Sequence, residues 1–222
     1  MRKSKAQAEI EKWEQEAAYF KAQAENESYA AEITRMSLEK ATREHQSYLA
    51  GNVENRVLDF TQEVNNFAAE SAMATLARWA RLSRDPITVR WSSPGGSVIA
   101  GLALYDAIMG LRQVQKINIR SITLGMAASM AAILLQSGDQ RVVAPDAYIL
   151  IHEVSSGVIG KLAEMEDETK FVKKINDRLF SILASRSNLS RRAILTHARR
   201  KDWWLDAEET LKHGFADEIG YL

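Results

Sequence analysis

The sequence predicts an α/β domain with a largely parallel sheet over residues 53–222, preceded by a charged helical N-terminal extension over residues 1–52. Three observations carry this. From Val53 onward, β-rich runs alternate with amphipathic helical runs, the pattern of parallel strands covered by helices. Short turns containing Gly, Pro or Ser separate them. Residues 1–50, by contrast, contain neither Gly nor Pro and are rich in Ala, Glu, Lys and Gln, which favour helix.

Within the extension, Ile10, Trp13, Ala17, Phe20 and Ala24 recur at steps of three and four and give one narrow apolar stripe. The stripe weakens after Ala24, so sustained heptads are not expected. A short coiled coil, a seat on another subunit and a solvated helix all remain open. "RVLDFTQEV" (56–64) reads as a strand leading to a turn and "FAAESAMATLARWARLS" (67–83) as a helix. "DPITVRWS" (85–92) is a second strand, "SPGG" (93–96) a turn and "SVIAGLALYDAIMGLRQV" (97–114) an amphipathic helix. "INIRSITLG" (117–125) is a third strand, leading into a helix that begins near Ser129. "QRVVAPDAYILIHEV" (140–154) supplies two short strands around Pro145. A long helix over about 161–187, a short one from about Ser190 and the segment "DAEETLKHGFADEIGYL" close the chain.

Composition excludes several function classes. With 29 basic and 29 acidic residues the formal net charge is zero, so no general basic field attracts nucleic acid. The absence of cysteine removes disulfides, thiol catalysis and thiolate metal sites. The four histidines, His45, His152, His197 and His213, show no ligand spacing, so neither a metal nor another cofactor is expected. No apolar run reaches membrane-spanning length, and "MRKSKAQAEIEKWEQEA" is too charged for the core of a signal peptide. The expectation is a cytoplasmic protein without a membrane partner.

In parallel α/β sheets, chemistry collects at the carboxyl ends of strands. "SPGG" and "GMAASM" both follow strands there and lead into helices whose first N–H groups have no intrahelical partner, a natural place to stabilise an oxyanion. Alone, a Gly-Gly turn before a helix is usually just a turn. In "LGMAASMAAILLQSG" (124–138), Ser129 is either a filler among small residues or a nucleophile with room around it for a carbonyl. A nucleophilic serine needs a base, and the base needs an orienting acceptor. His152 ends the apolar run "AYILI" at the same sheet edge, and position leaves it open between a base and a buried histidine satisfied by backbone. Asp167 and Asp177 fall among charged residues of the long helix, and Asp206 reads as a helix N-cap. Asp202 is the modest favourite for the third member, since Trp203 and Trp204 beside it would shield its carboxylate from water.

"SPGGSVIAGLALYDAI", "GMAASMAAILLQSG", "ILIHE" and "KDWWLDAEETLKHGFADEIG" resemble, in order and at compatible spacing, segments of the Clp protease proteolytic subunit family, with similarity from about Asn55 to the C-terminus. The resemblance implies a crotonase-like βα-repeat core with a long handle helix near 161–187. It implies Ser129 as nucleophile, His152 as general base, Asp202 as orienting acid, and the backbone N–H groups of Gly96 and Met130 as oxyanion hole. Val154, Ser155, Ser156, Gly157 and Val158 would then pair main chain to main chain with an extended substrate. The implied function is a serine endopeptidase that cuts unfolded or delivered polypeptides inside a homo-oligomeric chamber, a heptameric ring or double ring. An unfoldase ATPase is the implied partner.

Two departures stand out. Glu153-Val154 replaces the family's usual Gln-Pro after the histidine, and the helical extension replaces short axial loops. The extension also suits a phage-type prohead protease of the same family, acting on scaffold or capsid proteins. A crotonase-fold acyl-CoA enzyme is the alternative of a different class, although enolate chemistry has no need of the Ser129, His152, Asp202 set. A non-catalytic ring or scaffold subunit would normally have lost a member of that set.

Overall fold

A computed structural model describes residues 5–52, 55–155, 157 and 159–221. The chain divides into two compact units, Met1–Asn55 and Arg56–Leu222. The first consists of one long helix, α1 (Lys5–Asn52), which runs without a break through Gly51. Trp13, Tyr19, Phe20, Tyr29, Ile33 and Met36 are all exposed on it.

The second unit is built on a seven-stranded sheet. Its strands are β1 (Val57–Phe60), β2 (Ile87–Ser93), β3 (Ile119–Ala128), β4 (Gln140–Val143), β5 (Tyr148–Ile151), β6 (Trp203–Leu205) and β7 (Glu218–Ile219). The path β1-β2-β3-β4-β7 is parallel throughout, as the βα alternation predicts. β3 forks: Arg120–Thr123 pair with β4, while Met126–Ala128 pair with β5, also in parallel. Gly125, at φ 66°, lies at the fork, where β3 advances four positions (Thr123 to Ala127) while β2 advances two (Trp91 to Ser93). β6 is the exception in direction and runs antiparallel to β5.

The helices follow the predicted periodicity. α2 (Asn66–Leu82) buries Ala68, Ala72, Leu76 and Trp79, one stripe at helical spacing, and Asn65 caps it by accepting the N–H of Ala68 at 2.9 Å. α3 (Val98–Gln113) buries Ala100, Gly101, Leu104, Tyr105, Ile108 and Leu111. The short α4 (Met130–Leu135) is buried throughout, as expected for a segment enclosed between sheet and helices. α5 (Leu162–Ser185) is the long handle; only its C-terminal part, at Leu179, Phe180, Ile182 and Leu183, enters the core. α6 (Arg191–Ala198) and α7 (Ala207–Lys212) complete the set, and Asp206 caps α7 in a reciprocal box with Glu209.

The strand within 56–64 ends at Phe60, and the chain beyond it turns to meet the SPGG segment. Asp202 lies just before β6, a three-residue strand.

The last strand, β7, meets β4 at only two residue pairs. Asp217 anchors it by accepting the Arg141 main-chain N–H at 2.8 Å and the Arg141 guanidinium. Burial raises the Asp217 carboxyl, but these bonds and the charge of Arg141 outweigh it and hold the group below the ordinary carboxylate value. A carboxyl depressed on folding stabilises the fold above its unfolded value, near 4, and that contribution is lost as pH falls through the folded value. The urea midpoint is therefore expected to fall below about pH 4, and Asp217→Asn to weaken that dependence. A midpoint equally acid-sensitive in both forms would contradict the anchor.

Candidate active site

β3 ends at Ala128 and α4 starts at Met130, so Ser129 alone makes the turn from strand to helix. Its φ of 56° and ψ of −119° are rarely adopted by L-residues, a conformation that costs on the order of 1–3 kcal/mol. The surroundings enforce it. Ser129 donates its N–H to the Leu150 carbonyl at 2.8 Å, and its own carbonyl accepts the N–H of Ala132 at 3.0 Å. Gly95 sits against the turn: a Cβ there would come within 2.5 Å of the Ala128 carbonyl oxygen, 2.7 Å of Ser129 Cβ and 2.9 Å of the Met130 nitrogen. The small neighbours Ala127, Ala128, Ala131 and Ala132 are buried, while Ser129 is only half-buried. The small residues thus make space for a sharp turn that presents the hydroxyl, and that hydroxyl makes no capping bond to α4. A strained serine between strand and helix is the geometry of a nucleophile elbow.

The SPGG segment is pinned beside it. Val64 donates to the Gly95 carbonyl and accepts from Ser97 N–H, both at 2.7 Å, which makes an isolated parallel bridge centred on Gly96. Ser93 Oγ donates to the Gln62 carbonyl at 2.6 Å and accepts the Gly95 N–H at 3.2 Å. Gly96 has φ 139°, and a Cβ there would lie 2.4 Å from the Val64 oxygen. Among the described residues no acceptor takes the N–H of Gly96 or of Met130. Both residues line a cavity of about 150 Å³ together with Ser129, His152, Val154 and Ser155. Val98, Ile133, Leu179, Phe180 and Leu183 give it an apolar wall.

The ladder between β5 and β6 positions the other two candidates. Ile149 pairs with Leu205, Leu150 with Trp204 and Ile151 with Trp203. His152 and Asp202 are the next residues along, on neighbouring backbones just past the end of the ladder. His152 lines the cavity with Ser129, whereas Asp202 lines an adjoining polar cavity of about 510 Å³ that also includes His152. Among the described residues no hydrogen bond joins Ser129, His152 and Asp202.

The expected shielding of Asp202 by tryptophan is corrected, since Asp202 is exposed in the single chain. A β-strand sends successive side chains to opposite faces. Trp203 therefore stacks on His197, with ring centres 4.4 Å apart, while Trp204 lines an open groove with Tyr148 and Met126. Burial first, then the nearby His197 and Lys212, hold His213 below the usual imidazole value, and neither His197 nor His213 reaches the cavity of Ser129. The side chain of His45 lies outside the described residues.

In the segment expected to pair with substrate, Val154, Ser155 and Gly157 adopt no regular structure, and Ser156 and Val158 lie outside the described residues. Val154 donates its N–H to Asn176 Oδ1 on α5 at 3.1 Å. This contact was not legible in the sequence. Asp167 and Asp177 make exposed ion pairs with Lys170 and Arg191. No group of His, Asp and Glu among the described residues could hold a metal ion, and no described helix is long and apolar enough to cross a membrane.

The Clp protease family model matches residues 17–221, a span that reaches back into α1. Among curated relatives, an ATP-dependent Clp protease proteolytic subunit from Streptococcus mutans is 34% identical over 189 residues, 82% of this chain and 94% of its own length. Proteolytic subunit 2 from Tropheryma whipplei is 36% identical over 138 residues, 61% of this chain and 74% of its own. The subunit from Bacteroides thetaiotaomicron is 31% identical over 170 residues, 74% of each chain. The parallel sheet with its covering helices agrees with the crotonase-like fold of that family. The chain belongs to the Clp protease family and is a serine-type peptidase.

Proposed function

We propose that Ser129 is the nucleophile, His152 the general base and Asp202 the orienting acid of a serine endopeptidase, with the N–H groups of Gly96 and Met130 as its oxyanion hole. The observation that supports this most directly is the convergence of a strained serine, two unclaimed N–H groups and an imidazole on one cavity. Ser129 Oγ attacks the scissile carbonyl as His152 takes its proton. The carbonyl oxygen gains charge and is stabilised by the two amides, after which His152 returns the proton to the leaving amine. Asp202, on the backbone neighbouring that of His152, orients the ring and stabilises its charged form. The three groups draw together when substrate fills the cavity, as catalytic hydrogen bonds commonly tighten on binding. The apolar wall favours an apolar side chain next to the cleaved bond.

The test is hydrolysis of short blocked peptides by the full-length protein, with acyl-CoA thioesters as the comparison. Cleavage after apolar residues is expected, and turnover of thioesters without any peptide cleavage would overturn the reading.

We read the working form as a homo-oligomeric ring or double ring supplied with polypeptide by a partner ATPase. Two observations support this. The relatives carry the names "ATP-dependent" and "proteolytic subunit", and α5 leaves Leu162, Met165 and Phe171 exposed. The domain division is read as an extension, 1–52, that is separable from a peptidase domain, 53–222, because every proposed catalytic group lies in the second. Deleting residues 1–52 is expected to preserve hydrolysis of short peptides while changing assembly or the handling of protein substrates. Trp13, 72% exposed on α1, is the side chain best placed to meet a partner, so Trp13→Glu should mimic the deletion. Rates on peptide and protein, with native particle mass, check this. Lost peptide cleavage at an unchanged number of subunits would place the extension in the active site instead.

A further inference from the structure

α6 ends at Ala198, and Arg200, at φ 57°, is the left-handed residue beyond its cap. At such an end, the N–H of the left-handed residue ordinarily returns to a carbonyl of the last helical turn. Here its neighbours do so: Arg199 N–H reaches the Leu195 carbonyl at 2.9 Å and Lys201 N–H the Ala198 carbonyl at 3.4 Å. The Arg200 N–H between them instead donates to Glu153 Oε2 at 3.0 Å. Glu153 directly follows His152, and Arg200 lies two residues before Asp202, so this one contact ties together the segments that carry both groups.

The tie sits where the fold is otherwise weak. β6 is three residues long, and Asp202 lies just past its last pair with β5, at a ladder end prone to fraying. On the β5 side the chain is held immediately after Glu153, where Val154 N–H meets Asn176 Oδ1. Glu153 therefore projects from a fixed segment onto one that is short of its own restraints.

Resting on the reading of His152 and Asp202 as base and orienting acid, we propose that Glu153 is a positioning residue whose carboxylate fixes the exit of α6 and so keeps Asp202 within reach of the imidazole. It lines the cavity of Ser129 as well as the one beside Asp202, and its proposed effect runs through Asp202.

A double-mutant cycle on the full-length protein, read as kcat and KM on a short blocked peptide, tests this. Glu153→Ala is expected to lower kcat about tenfold with KM little changed, the scale of a modest misplacement. Glu153→Gln keeps an oxygen that accepts the Arg200 N–H and is expected to retain kcat within about threefold. In an Asp202→Asn background, Glu153→Ala should cost less than about twofold, because the group it positions is already gone. An unchanged kcat in Glu153→Ala, an equal loss in Glu153→Gln, or a full additive loss in the Asp202→Asn background would each overturn the proposal. Asp202→Asn alone separates the two readings. If it keeps full activity, the triad reading fails and takes the positioning role with it; if it is inactive while Glu153→Ala is normal, the positioning role alone fails.

Discussion

Replacing Ser129 with alanine is expected to lower peptide hydrolysis by about 10³-fold or more, and to leave folding and assembly intact. On the proposed mechanism the variant lacks the attacking oxygen, while the amides and cavity remain to bind substrate. The structural reason for expecting an intact fold is that the hydroxyl caps nothing, so its removal orphans no buried partner. The restraints on the turn come from main-chain bonds to Leu150 and Ala132 and from the packing of Gly95, all of which survive the substitution. Steady-state rates on a short peptide, with urea midpoint and native mass as controls, provide the check. A variant that kept most of its activity would remove Ser129 from the chemistry.

Gly95→Ala is expected to be nearly as damaging by a different route, with a loss of about 10²-fold or more in kcat, the scale of losing one oxyanion donor. The added methyl meets the Ala128 carbonyl oxygen, Ser129 Cβ and the Met130 nitrogen at under 3 Å, and none of these is the end of a flexible side chain. Relief requires the Ser129 turn to move away, which displaces the proposed nucleophile and the Met130 N–H together. The φ of 88° at Gly95 adds backbone strain. Gly110→Ala is the matched control: a Cβ there meets nothing within 4 Å, and alanine is favoured over glycine in a helix by about 1 kcal/mol. Rates and melting temperatures of the two variants would show the contrast, and a fully active Gly95→Ala would mean that the turn is not held as described.

The elements were largely legible because each carries a local signal. The stripe Ala68, Ala72, Leu76, Trp79 marks α2 by its spacing, Asp206 and Glu209 mark the start of α7 by capping chemistry, and the apolar run before His152 marks a buried strand. The address of Ser129 between strand and helix is legible in the sequence, but its backbone strain is not, since φ is imposed by Gly95 and Leu150 from elsewhere in the chain. β6 escaped because three residues carry no periodicity, and only β5, more than 50 residues away, makes them a strand. The same holds for Glu153 and Arg200, which are 47 residues apart, and for the bridge from Val64 to Gly96. The shelter that Trp203 and Trp204 offer Asp202 in the sequence is absent because strand alternation turns them elsewhere, and the nearness of its backbone to that of His152 follows from the pairing of Ile151 with Trp203.

The most direct test of Ser129 as a nucleophile activated by His152 is to treat the full-length protein with a fluorophosphonate and map the adduct by mass spectrometry, in the wild type and in His152→Ala. The geometry predicts an adduct on Ser129, formed about 10²-fold or more slowly once the imidazole is gone. An adduct on a different serine, or Ser129 labelled equally fast without His152, would contradict it.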